Sequence, residues 1–462
     1  MKARKFARIQ WKGKGGYREV LAIAIPLVLS NGAHTLQQFI DRVFLSWYSP
    51  DAVAAALPSA IINWTFLSLF IGMAGYVSTF ISQYYGAGMK EKIGHLLWQG
   101  IYISLIGGVL MYALIPPAKA FFGFIGHSPE VQVYEVTYFR ILSWGSPLVI
   151  LQAALSSYYS GLGKTWPILV INTTGSIINA VLDYLLIFGN GGFPELGVAG
   201  AAIATVIAEA VVVLIYFLVI MSRKHEREHG VRSGLRFEFK LVSQLLKYGL
   251  PAGVQFLIDI SGFTVFILLI GKLGTTALAA TNIAFSVNSL GFMPMIGIGS
   301  AVSVLVGRYI GGRDVPSAER TVSSAMRMIF IYMGAIAFMY FFLPRIFMFP
   351  YKIQAASGSF NEIEKITTNL LKFIAVYSFF DAFTINYSSA IKGAGDTKFV
   401  MVMIAIMSLC ILTIPSYLVI VVFRKNIYTA WIVASAYICL LGVAFYLRYR
   451  QGKWKGMTVI ER

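Results

Sequence analysis

The chain has 462 residues, of which 57% are hydrophobic and only 13% charged, and its mean hydropathy is +0.72. Soluble domains carry roughly 25% charged residues, and a single soluble core stops growing near ~250–300 residues. So few water-facing side chains over so long a chain exclude a soluble enzyme or binding module. The solvent for most of this protein is lipid.

A helix needs ~20 mostly apolar residues to cross the hydrocarbon layer. In chain order, twelve such stretches are centred near Leu29, Phe66, Gly107, Ser143, Ile178, Val211, Leu257, Met293, Met333, Ser378, Met407 and Ile438. The longest polar interruption, 222–240, is too short for a nucleotide-binding or other soluble module. The predicted fold class is an all-α polytopic membrane protein. Its predicted parts are a basic N-terminus (1–19), an N-lobe of spans 1–6 (20–221), a linker (222–242), a C-lobe of spans 7–12 (243–449) and a tail (450–462).

The net charge of +18 would suit a nucleic-acid binder, but its distribution argues otherwise. When loops are assigned alternately to two sides, 28 Lys and Arg fall on the side of the N-terminus and 7 on the other. Such an excess marks the cytoplasmic face. Both termini are therefore expected inside, and no nucleic-acid partner is implied.

The two halves repeat one design. At an offset of 225 residues Pro26 meets Pro251, Gly72 meets Gly297, Ser78 meets Ser303 and Gly86 meets Gly311. Later the offset becomes 232, and Ser157, Gly161, Gly163 and Thr165 meet Ser389, Gly393, Gly395 and Thr397. Six spans per half is an even number, so the halves enter from the same side as parallel six-helix repeats. Such repeats place a substrate site near mid-membrane and support alternating access.

Five acids fall within the predicted spans: Asp41, Asp183, Glu209, Asp259 and Asp381. A charged residue there costs ~2.5–3.5 kcal/mol on insertion scales and usually marks an ion or substrate path. Each has polar companions at helical spacing. Span 1 carries Asn31, His34, Gln38 and Asp41, span 5 Asn172, Ser176, Asn179 and Asp183, and span 6 Thr205 and Glu209. Span 7 carries Gln255 and Asp259, and span 10 Tyr377, Asp381, Thr384 and Ser388. Asn282 in span 8 joins Asn31, His34, Gln38, Glu209, Gln255, Tyr377 and Thr384 as a candidate relay or cavity-lining residue. Pro26 cannot donate its backbone hydrogen bond, so it is expected to kink span 1, as a fixed bend or a hinge.

Other chemistries find little support. Cys410 and Cys439 lie in apolar stretches and cannot build a disulfide framework or metal cluster. Gly163-Lys164-Thr165 ends like a phosphate-binding loop, but Tyr158 stands where the first glycine is needed. No convergent constellation of a membrane-embedded enzyme is visible, and no cofactor is expected.

The segments Pro26 through Asp41, Gly86-Ala87-Gly88, Asn179 through Asp183, Gly161-Leu162-Gly163, Pro251 through Asp259, Asp381 and Lys392 through Asp396 occur in an order and spacing that resemble one family. The chain is similar, over nearly its whole length, to multidrug and toxic compound extrusion (MATE) transporters of the NorM-like type. The resemblance implies an antiporter that exports lipophilic organic cations in exchange for H⁺ or Na⁺. It places an N-lobe cation or proton site, possible for Na⁺, on Asp41, Asn179, Asp183 and Thr205. It places a C-lobe site on Asp259 and Asp381, with Asp259 one methylene shorter than the Glu common in relatives. It further implies a monomer in a bacterial or archaeal inner membrane, with lipid and small molecules as partners. The alternative is a flippase for a lipid-linked headgroup, which an acid-rich interior does not favour.

Overall fold

The computed structural model describes residues 11–125, 127–353 and 360–461, and the first ten residues of the predicted N-terminus lie outside them. The first half runs through α1 (Tyr17–Tyr48), α2 (Pro50–Gly75), α3 (Val77–Gly86), α4 (Lys92–Tyr112), α5 (Ala118–Ile125), α6 (Pro129–Gly161), α7 (Trp166–Phe188) and α8 (Gly197–Ile220). A short linker helix, α9 (Arg223–His229), follows. The second half comprises α10 (Phe239–Gly271), α11 (Thr275–Gly311), α12 (Val315–Phe342), α13 (Pro344–Ile353), α14 (Phe360–Ala394), α15 (Thr397–Met407), α16 (Ile414–Tyr417) and α17 (Ile427–Arg450).

Ten spans among the described residues are long and apolar enough to cross a membrane. The other two crossings are α6 and α14, at 33 and 35 residues. Their sequences are more polar because they are the hubs: α6 packs against α2, α4 and α8, and α14 against α11, α12 and α17. A helix surrounded by helices faces little lipid, so it tolerates polar side chains that a peripheral helix cannot. The eleventh crossing is α15 and α16 joined by π-helical turns at Ser408–Thr413 and Leu418–Val422. Pro415 between them lacks the N–H that a regular ladder needs.

The repeat seen in sequence is a repeat of contacts. A Cβ on Gly161 would lie 2.6 Å from the Ser78 carbonyl, and one on Gly393 would lie 2.4 Å from the Ser303 carbonyl. Only glycine lets these helices approach so closely. Gly163 and Gly395 both have positive φ, as do Gly88 and Arg313 at the other offset.

The chain divides into two compact units, one holding residues up to Val28 with Ile258–Glu461, the other Leu29–Leu257. The division thus falls inside α1 and α10, away from the linker where the hydropathy pattern suggested it. The early part of α1 is fixed to the second half: Tyr309 donates to Glu19 at 2.5 Å, Ser324 donates to the Gly15 carbonyl at 2.9 Å, and Gly297 leaves room for Val28. Early α10 is fixed to the first half, where Gly253 sits against the Leu69 carbonyl and Tyr248 against Phe80.

The linker folds back on the first bundle. Trp98 donates to the Val231 carbonyl and Gln99 to that of Arg236, both at 2.7 Å, and the Tyr158 hydroxyl meets His229 Nδ1 at 2.8 Å. The tail closes the second bundle in a similar way, with buried Trp454 stacked on Tyr449 and Val459 against Gly395.

Burial, with Lys164, His225 and Lys90 adding to it against Glu228, holds the His229 ring down at about 4 from its ordinary value. A base whose pKa is lowered by folding stabilises the docked linker fully above its unfolded value near ~6.5, and the contribution is lost as pH falls from there towards about 4. Proteolysis within 223–238 should therefore be faster at pH 5 than at pH 7.5, and His229→Phe should remove most of that difference. Equal cleavage of the parent protein at both pH values would rule out this lock.

Candidate ion-coupling site

The N-lobe polar residues form a ladder. On α7, Asn172, Ser176, Asn179 and Asp183 step by four, three and four, so they share one face. Asn172 Nδ2 donates to Ser30 Oγ at 3.0 Å, and Ser176 Oγ donates to Gln37 Oε1 at 3.0 Å. With its amide nitrogen turned towards the carboxylate, Asn179 donates to Asp41 Oδ1 at 3.0 Å and accepts from the Thr205 N–H at 3.3 Å. The Asp41 and Asp183 carboxyls lie within hydrogen-bonding reach of each other, beside Tyr138 of α6. Asn179 and Asp183 are fully buried.

All four residues of the predicted N-lobe set therefore meet at one place. Two carboxylates at this range in a low-dielectric interior repel strongly, so the pair calls for one proton or one monovalent cation. Asp183 Oδ1 has no hydrogen-bond partner.

The rest of the span 1 stripe divides. His34 and Gln38 are exposed and bond to each other at 3.2 Å, while Asn31 is half-buried. The residues of α1 that face α7 are instead Ser30 and Gln37, which spacing from Asn31 did not single out. Counting back four and eleven residues from Asp41 finds Gln37 and Ser30 on the same face.

In the C-lobe Asp381 is buried, with Tyr377 one turn away, and both Asp259 and Asp381 act electrostatically on Tyr437. Asp259 has a basic neighbour, Lys392, in the last turn of α14. It lies eleven residues beyond Asp381, three helical turns on, so the Tyr377–Asp381–Thr384–Ser388 stripe continues to it. Thr384 bonds the Phe380 carbonyl of its own helix at 3.1 Å, and Asn282 is exposed. Gln255 and Glu209 are half-buried on α10 and α8, and Pro26 is buried within α1. Among the described residues no group of three or more His, Cys, Asp or Glu is placed to hold a metal ion.

The MatE family model matches residues 26–185 and 251–419, well over half of the sequence. The chain belongs to this family of membrane transporters. A probable multidrug resistance protein NorM of Thermotoga maritima is 26% identical over 448 residues, covering 96% of this chain and 94% of its own. Among solved structures, an outward-facing multidrug resistance MATE transporter superposes with a TM-score of 0.85 at 20% identity, covering 97% and 98% of the two chains. A MOP superfamily transporter from Pyrococcus furiosus gives 0.84 at 20% identity over the same shares. This MATE transporter is thus an integral, multi-pass membrane protein with the NorM-like two-bundle fold.

The Lys392–Asp259 neighbourhood can be tested by a double-mutant cycle. Removing one member of a buried pair leaves the other charge uncompensated. Lys392→Met should lower the unfolding temperature in detergent far more in the parent than in an Asp259→Asn background, a coupling of at least about 1 kcal/mol. Additive effects would mean that the two charges do not support each other.

Proposed function

We propose that this transporter is a secondary active multidrug efflux antiporter that exports lipophilic organic cations in exchange for protons. The observation that carries the reading is the Asp41–Asp183 pair, two carboxyls within hydrogen-bonding reach, steadied by Asn179. Carboxyls at that range are suited to sharing a proton. The NorM name of the relative supports multidrug efflux. Sodium is the second candidate, since two carboxylates, an amide and a hydroxyl offer the oxygen ligands a hard cation takes.

In this scheme the unprotonated acids make the interior anionic and attract a cationic drug from the cytoplasm. Protonation from outside cancels that charge and weakens the drug's hold. A ligand shifts a two-state equilibrium only by its differential affinity for the states, and competition for the same negative charge supplies the difference. Pro26, two residues before the point where α1 passes from one unit to the other, is the proposed hinge. The charge bias supports cytoplasmic termini, and the inner membrane is the proposed location.

Two measurements test the reading. In proteoliposomes, a lipophilic cation should be transported at least tenfold faster than an anion of matched hydrophobicity; equal rates would point to a purely apolar pocket or a lipid cargo. Separately, Asp41→Asn should abolish the response of drug flux to an imposed pH gradient while the protein remains folded. Flux that follows a Na⁺ gradient and ignores pH in the parent protein would make sodium the coupling ion. An unaltered pH response in Asp41→Asn would leave coupling to the C-lobe acids.

A further inference from the structure

The ladder on α7 continues on α8. Thr205, Glu209 and Tyr216 recur at four and seven residues, so they lie on one face. Thr205 sits at the Asn179 rung, and Tyr216 donates to Asn172 Oδ1 at 2.9 Å. The two helices are in close contact between these rungs, where Gly175 leaves room for Val212. Glu209 stands between the rungs, and its Oε2 is buried with no hydrogen-bond partner.

Beyond Tyr216 the polar column reaches the linker. The rings of Tyr216 and Tyr159 are 6.2 Å apart, and the Tyr159 hydroxyl is also buried without a partner. Tyr159 in turn lies 5.7 Å from His225, and the adjacent Tyr158 bonds His229. The titratable and charged groups around the column include Asp41 and Arg42 of α1, Tyr138, Tyr158 and Tyr159 of α6, Asp183 of α7, Tyr216 of α8 and His225 and His229 of the linker helix, while α2 presents Ala52 and Ala56. Nothing in the ladder's packing requires an acid at position 209. A carboxyl with an unused oxygen, placed between a coupling pair and a chain of hydroxyls, has the chemistry of a proton carrier.

We propose that Glu209 carries the coupling proton between the Asp41–Asp183 pair and the linker end of the first bundle. The proposal rests on the reading that the exchanged ion is a proton. Asp183 gives up its proton and regains its charge; the Glu209 carboxylate takes that proton and becomes neutral. Glu209 then yields it towards Tyr216 and Tyr159, each hydroxyl accepting one proton as it releases its own. The route runs inside the bundle, so a drug bound elsewhere need not block it.

The test uses the full chain in proteoliposomes with an imposed pH gradient and tetraphenylphosphonium as the transported probe. Glu209→Gln should slow gradient-driven flux at least tenfold and flatten its pH profile, with the probe's Kd in detergent changed less than twofold. Glu209→Asp should recover part of the rate with a shifted profile. Parent-level flux and pH profile in Glu209→Gln, when the parent itself responds to pH, overturns the relay but leaves proton antiport intact. A parent driven by Na⁺ alone overturns both. Should Glu209→Gln fail to bind the probe, Tyr216→Phe decides: flux at least threefold slower at unchanged Kd supports the relay, and an unchanged rate overturns it.

Discussion

Lipid offers no hydrogen bonds, so every polar group inside a bundle must find its partner in the protein. That constraint shapes the first bundle of this transporter. Its α1, α7 and α8 are apolar on their outer faces, yet each carries a polar row facing the others. Ser30, Gln37 and Asp41 meet Asn172, Ser176 and Asn179 rung by rung. One helix alone would expose its row to hydrocarbon; three together satisfy it. The polar atoms left over include Asp183 Oδ1 and Glu209 Oε2, both of carboxyls, beside the hydroxyls of Thr173 and Tyr159. Unsatisfied carboxyl oxygens in such a setting are suited to binding a proton or a cation, as the proposed exchange requires.

The two bundles treat buried acid differently. In the first, Asp41 and Asp183 lean on the Asn179 amide and on each other, with Arg42 beside Asp41. In the second, Asp259 has the ammonium of Lys392 as its neighbour. A carboxyl with a tethered cation beside it takes up a proton less readily than two carboxyls that face each other do. This asymmetry fits the proposal that an exchanged ion acts in the first bundle, although the two halves repeat one pattern.

That common pattern is held by backbone contacts more than by side chains. Gly161 against Ser78 and Gly393 against Ser303 fix the same helix approach in both halves, and the same glycine turns follow. The linker and the tail then fold back on their own bundles through half-buried Trp98 and buried His229 and Trp454. Segments that look like loops by hydropathy are thus parts of the packed structure.

By itself the sequence determined the solvent, the all-helical class, the number of crossings, the repeat and the acids that fall within the spans, because apolar length, small-residue spacing and charge are all written locally. It also named Asp41, Asn179, Asp183 and Thr205, through a resemblance carried by their order. Tertiary structure alone decided which face of α1 meets α7, since Asn31, His34 and Gln38 fit a helical stripe as well as Ser30 and Gln37 do. It alone brought Lys392, at the end of α14, beside Asp259, because neighbours on different helices are set by packing. It moved the boundary between the halves into α1 and α10, for hydropathy records where a chain leaves the membrane and says nothing of which neighbours a span packs against. Periodicity gives a residue its face; only the neighbouring helix gives that face its partner.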